Sequence, residues 1–209
     1  MILRLSHLRR ATIAGAICCL TFTAQTQSSA QSKTLPSKPG APCGEDSRLC
    51  HNATFGFRYQ IPYGWVDRTK QMQEKDEAGK AEVLLAAFSR PPEAAGDTIN
   101  SAVVIAAESA TSYPGLKKAE EYLASLTELA TAKGFEPAGD PYPVEEDSRQ
   151  LLRADFTKTL TDKLTMHQST LVLLTKGQIL SFTFIAASDD ELDELMDGLH
   201  FDAAKSSPH

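Results

Sequence analysis

The sequence predicts an α+β fold: a mainly antiparallel sheet of about six or seven strands, with a long central helix and a C-terminal helix packed on it. Three observations carry this. Short apolar or alternating runs bounded by turn formers recur along the chain and read as strands. Between them, one stretch repeats its apolar residues at helical spacing. The last two long strands are joined by Lys176-Gly177, a dipeptide suited to a tight hairpin, so neighbouring strands run antiparallel.

The first strand lies in "FGFRYQIPYGWVDRT", residues 55–69. Phe55, Phe57, Tyr59 and Ile61 alternate with Gly, Arg and Gln, the period of a half-buried strand. Pro62 stops it, Tyr63-Gly64 makes a turn, and Trp65-Val66 starts a second short extended piece. Residues 67–82 are almost wholly polar and read as a solvated loop or a loose helical turn. The runs from Val83 to Phe88 and from Ala102 to Ala107 are buried strands, set off by Pro91-Pro92 and Gly96-Asp97. Leu116, Ala119, Tyr122, Leu123, Leu126, Leu129 and Ala130 then fall on one helical face. Pro114 near the start and Gly134 just past the end suit helix boundaries. Three strands follow at about 149–159, 164–174 and 178–187, with Leu180, Phe182 and Phe184 on one face. In "SDDELDELMDGL" Ser188 caps a last helix and Glu191 reaches back to it, a capping box. Leu192, Leu195, Met196 and Leu199 form the inner stripe of that helix. No internal repeat is present.

The start of the chain reads as an export signal, residues 1–30. Arg4, Arg9 and Arg10 form a basic segment, and Ala11 to Phe22 is an apolar run of twelve residues, too short to span a bilayer. Ser28-Ser29-Ala30 offers small residues for cleavage before Gln31. The residues after Arg9-Arg10 fit twin-arginine export poorly. A lipid anchor through Cys18 or Cys19 is the alternative, although Ile17 before Cys18 is not the small residue such cleavage favours. Residues 31–42 form a Pro/Ser/Lys spacer, 43–202 a single domain, and 203–209 a frayed tail. The expected destination is the periplasm or the extracellular space.

Of the 21 basic residues 18 follow the signal, with all 27 acidic ones, a net charge of about −9. An acidic chain without a basic run argues against a nucleic-acid partner. No other segment is long and apolar enough to cross a membrane. Cys43 and Cys50, in "CGEDSRLC", are an even pair in an exported chain and are expected to form a structural disulfide. Their six-residue gap departs from a redox pair, and His51 alone nearby cannot complete a zinc site.

With these phrases in place the chain resembles a known family. An aromatic strand ending in "IPYGW" follows the export signal and spacer. Then come a strand pair, a helix like "GLKKAEEYLASL", the strands "LLRADF", "TMHQSTLVLL" and "GQILSFTFIAAS", and a last helix ending in "LHF". This is similar to the PsbP-like superfamily, which includes the extrinsic PsbP subunit of photosystem II and bacterial periplasmic DcrB-like proteins. The resemblance covers about 53–202. It implies an α/β/α sandwich and a non-catalytic module that binds proteins or assists assembly.

Catalytic motifs are absent: there is no nucleophile elbow, P-loop, dinucleotide fingerprint or HExxH. His51, His167, His200 and His209 lie far apart, none at ligand spacing with another. His167 reads as a half-exposed strand residue, and His200 as a favourable charge at a helix end. Glu145-Glu146-Asp147 reads as a solvated turn, and Asp189-Asp190-Glu191 as a helix start. Neither has the calcium-loop pattern. No catalytic residue, metal ligand or cofactor is expected. Asn52-Ala53-Thr54 is a formal glycosylation sequon that reads as a chance match. Trp65 suits a plug at the sheet end, but Tyr63 and Trp65 sit at a turn, where exposed aromatics anchor interfaces. They are the candidate interface residues, with the 67–82 loop as the other docking place. The expected function is an exported, non-catalytic domain that binds a protein or a cell-envelope component. The alternative is a periplasmic small-ligand or metal-binding protein, perhaps with an enzymatic role.

Overall fold

The aromatic stretch of residues 55–61 builds a small sheet of its own, laid against the large one. The computed structural model describes residues 48–75, 81–94 and 96–203, all within a unit spanning Ser37–His209. In chain order the elements are β1 (Leu49–Asn52), β2 (Phe57–Gln60), β3 (Val66–Asp67), α1 (Thr69–Lys75), β4 (Ala81–Phe88), β5 (Ala102–Ser109), α2 (Ala119–Ala132), β6 (Glu136–Pro137), β7 (Tyr142–Glu146), β8 (Arg149–Thr161), β9 (Leu164–Thr175), β10 (Gln178–Ala186), α3 (Asp189–Met196) and β11 (Leu199–Phe201). The large sheet has eight strands in the order β3-β4-β5-β10-β9-β8-β6, with β7 also on β8. The small sheet has the order β1-β2-β11. Every recorded pairing is antiparallel.

Period-two alternation sends the large sheet's side chains to two different covers. On one face Leu152, Ala154, Phe156, Val172 and Ile179 pack under Tyr122, Leu123 and Ala130 of α2. On the other, Leu180, Phe182 and Phe184 meet Phe57, Tyr59 and Phe201 of the small sheet and Leu192 and Leu195 of α3. Phe182 is gripped edge-on by Phe57 at 5.4 Å and by Phe201 at 5.7 Å. Such aromatic pairs contribute about 0.5–1.5 kcal/mol beyond the area they bury. The Tyr59 hydroxyl donates to the Leu195 carbonyl at 3.1 Å, tying the small sheet to the end of α3. Burial pushes that phenol's pKa well up.

The α+β sandwich with a mostly antiparallel sheet, α2 and α3 is the expected class. Several local expectations are sharpened or corrected. Of the two readings of the polar stretch, residues 69–75 take the helical one, as α1. Thr69 anchors it: its buried hydroxyl donates to Asp67 at 2.6 Å and accepts the Ala86 N–H at 2.9 Å. The last helix stops at Met196, and "LHF" is β11. Gly198 makes the change, because a Cβ there would stand 3.2 Å from the Gln60 carbonyl oxygen and from the Tyr59 ring. That close approach lets the Gly198 carbonyl accept the Gln60 N–H at 2.9 Å. At the start of α3 the Ser188 hydroxyl accepts the Glu191 N–H at 3.2 Å, as a cap should. Glu191 reaches one residue further back than expected, to the Ala187 N–H at 2.9 Å, and its other oxygen accepts from Ser101.

Cys50, one of the two cysteines of the expected disulfide, is disulfide-bonded. Cys50 is fully buried in the core on β1, and Cys43 lies outside the described residues. The expected signal, the spacer and all but the first residue of the tail lie outside them too. Asn52 is buried, with its side-chain oxygen accepting the Phe55 N–H at 3.0 Å and its amide nitrogen enclosed, so the sequon leaves no room for a glycan. Among the described residues no helix is long and apolar enough to cross a membrane.

Candidate functional site

A groove of about 420 Å³ opens where α3 passes the β7–β8 hairpin. Its floor is Val144, Leu171, Met196 and Leu199, and its rim is Glu146, Arg153, Asp193 and Asp197. Strand alternation on β7 and helix periodicity on α3 bring these together. Val144 and Met196 pack against the core, while the acids keep their heads toward water.

Arg153 is the groove's cation, and it is already engaged. Its Nε donates to Asp155 at 2.8 Å, its Nη1 is 3.9 Å from Asp193, and its guanidinium lies 5.7 Å from the Tyr142 ring centre. The Tyr142 hydroxyl donates to the second Asp155 oxygen at 2.9 Å. Partial burial and then the Asp155 carboxylate raise that phenol's pKa. With Arg153 so neutralised, the remaining rim is acidic.

At the mouth the hairpin turns through Asp147 and Ser148, both in left-handed conformation with φ of 45° and 65°. One Asp147 oxygen accepts the Phe201 N–H at 2.9 Å and stands 3.5 Å from His200 Nδ1. Glu146 joins them, so that ligand atoms of Glu146, Asp147 and His200 all lie within 4.8 Å of one another. The Glu146 carboxyl is raised above its ordinary pKa, first by burial and then by Asp147, with His200 opposing and Asp197 adding. Sequence reading set Asp147 and His200 apart, as a solvated turn and a helix end. The register His200↔Arg58 between β11 and β2 is what carries His200 to the hairpin.

The candidate interface residues part company. Tyr63 is 87% exposed, with the Arg48 guanidinium 5.6 Å from its ring centre. Trp65 is half-buried and packs against the core, and its backbone N–H donates to the Pro62 carbonyl at 3.4 Å. The other described histidines form separate pairs: His167 with Asp189 at 2.7 Å and His51 with Asp202 at 3.2 Å. Elsewhere Glu108 accepts from both Tyr113 and Tyr122. Burial and this carboxylate push the Tyr113 phenol up to about 12, so it stays a hydrogen-bond donor.

No protein-family model matches this sequence, and no curated protein matches it. Among solved structures the chain is similar to cyanobacterial PsbP from Synechocystis sp. PCC 6803, at 15% identity over 78% of this chain and 99% of that one, with a TM-score of 0.48. It is similar to the Ran-binding protein Mog1p of Saccharomyces cerevisiae at 9% identity, over 74% of this chain and 95% of that one, with a TM-score of 0.44. LpqN of Mycobacterium tuberculosis, a protein involved in cell envelope biogenesis, shares 16% identity over 72% of this chain and 83% of its own, with a TM-score of 0.38. These are distant structural likenesses, and they assign no activity.

Proposed function

We propose that this chain is an exported, non-catalytic domain that binds a protein or cell-envelope component, with the groove between α3 and the β7–β8 hairpin as its docking place. The groove carries the reading: an apolar floor framed by charged groups is the composition of binding surfaces, and its volume is within the usual range for a recognition pocket. Export rests on the basic start, the short apolar run and the small residues before Gln31. The organisation that goes with it is a signal over 1–30, a spacer over 31–42, a domain over 43–202 and a short tail. Tyr63, exposed at its turn, is the second docking place.

The test is cross-linked capture in the source cell, using the full chain with its own signal. The Met196→Glu variant places a charge on the groove floor, and Tyr63→Ala removes the exposed aromatic. Proteins that reproducibly co-purify with the parent should be lost with folded Met196→Glu. Equal recovery by that variant removes the groove from the account, and loss with Tyr63→Ala alone moves the contact to the turn. N-terminal sequencing of the exported fraction should begin at Gln31. An uncleaved chain confined to the cytoplasm overturns the export reading.

A further inference from the structure

We propose that Glu146, Asp147 and His200 form a binding site for a first-row divalent metal ion of the zinc type. Their ligand atoms gather within 4.8 Å although they come from two separate elements, the β7–β8 hairpin and β11. The donor set is one imidazole and two carboxylates. Mixed nitrogen and oxygen donors suit zinc and its first-row neighbours, and two carboxylates balance the ion's charge.

The spacing is the sharper observation. His200 Nδ1 and Asp147 Oδ2 are 3.5 Å apart. A charge-assisted hydrogen bond between such groups closes to about 2.7–2.9 Å. Two ligands on a tetrahedral zinc, each about 2.0–2.1 Å from the ion, stand roughly 3.3–3.5 Å apart. The pair is therefore loose as a hydrogen bond and right for two ligands of one ion. The other histidine–carboxylate pairs among the described residues are different. His167 and Asp189 are at direct hydrogen-bonding distance, 2.7 Å, and Asp202 beside His51 also has the Arg58 cation 3.4 Å away.

The backbone holds two of the three ligands. Asp147 is fixed by its turn and by the Phe201 N–H it accepts. Leu199 and Phe201 are buried, so alternation along β11 turns His200 outward. Glu146 completes the set with a ligand atom within 4.8 Å of the other two, and the His200 and Asp147 side chains, 52% and 43% exposed, leave a fourth position open to water. Three protein ligands plus water is a common zinc arrangement. Such an ion would clamp β11 of the small sheet to a hairpin of the large one. The inference does not depend on the binding-module reading.

The test is calorimetric titration of the purified, untagged, chelator-stripped protein with zinc chloride. Asp147→Asn, His200→Gln and the control His167→Gln are titrated alongside. The parent should take up one zinc per chain, and its melting temperature should rise with zinc concentration. Asp147→Asn and His200→Gln should each weaken that uptake by more than about tenfold, since loss of even an outer-shell partner costs that much. His167→Gln should bind as the parent does. Cobalt in place of zinc should give an intense tetrahedral visible spectrum that His200→Gln loses. The His200 side chain is 52% exposed, so that variant folds and decides the matter even where Asp147→Asn does not fold. No uptake by the folded parent at about 100 µM zinc, or uptake unchanged in both ligand variants, overturns the proposal.

Discussion

The β9–β10 and β7–β8 hairpins turn in the same two-residue conformation with different residues. Thr175 pairs with Gln178 across one tip, and Glu146 with Arg149 across the other. Both central residues of each tip have positive φ, as the hairpin-favouring type I′ turn requires. The first tip is Lys176-Gly177, with one residue free of the left-handed penalty. The second is Asp147-Ser148, with none, and each side chain held there costs of order 1 kcal/mol. Strain of that kind persists where surrounding contacts hold it. At the second tip the Asp147 carboxylate supplies such a contact, satisfying an N–H on the edge of the small sheet. The first tip makes tertiary contacts too, Lys176 Nζ donating to the Thr54 carbonyl and the Gly177 carbonyl accepting the Ala110 N–H at 3.0 Å, whereas the second satisfies a strand N–H of the small sheet.

Substitutions can break or sharpen this contrast. Asp147→Ala should have the largest effect. It removes the Phe201 partner and leaves a left-handed Ala, a loss of about 2 kcal/mol in urea unfolding. A loss below about 0.5 kcal/mol would mean that pairing with β2 alone holds β11. Gly177→Ala comes next. An added Cβ meets nothing within 4 Å there, so the cost is the backbone's alone, about 1 kcal/mol. A much larger loss would show that the substitution also disturbs the Ala110 N–H contact to the Gly177 carbonyl. Ser148→Gly should stabilise by roughly 0.5 kcal/mol, strain relief being partly offset by the freer unfolded chain. A lower melting temperature instead would assign the Ser148 side chain a role of its own. Lys176→Ala should be the mildest. It removes an exposed contact from the ammonium to the Thr54 carbonyl, and a change of no more than about 0.5 kcal/mol is expected by thermal melting.

The same contrast explains what the sequence reveals. Lys176-Gly177 is visible because glycine marks a left-handed turn, and the long strands beside it carry clear apolar periods. Asp147-Ser148 has no glycine, and β7, with Pro143 in it, does not read as a strand. The stripe Leu192, Leu195, Met196, Leu199 keeps helical spacing through residue 199, so β11 hides inside a helix pattern. Only packing against Gln60 and Tyr59 at Gly198 separates the two. The candidate metal site is invisible for a related reason. Asp147 and Phe201 are 54 positions apart, and no local period encodes which turn a returning strand will meet. Tyr63 stands exposed at its turn, and Trp65 packs against the core as the reading of it as a plug at the sheet end expects.

The order β1-β2-β11 has a consequence in time. β2 is made well before β11, the last strand among the described residues, yet they are neighbours through Phe57↔Phe201. A chain emerging N-terminus first exposes Phe57 and Tyr59 long before Leu199 and Phe201 exist to cover them. Loop closure over such a span is paid before its contacts reward it, and topologies of this kind fold slowly. The small sheet therefore acts as a seal set last, and a polypeptide halted anywhere short of residue 199 remains without it.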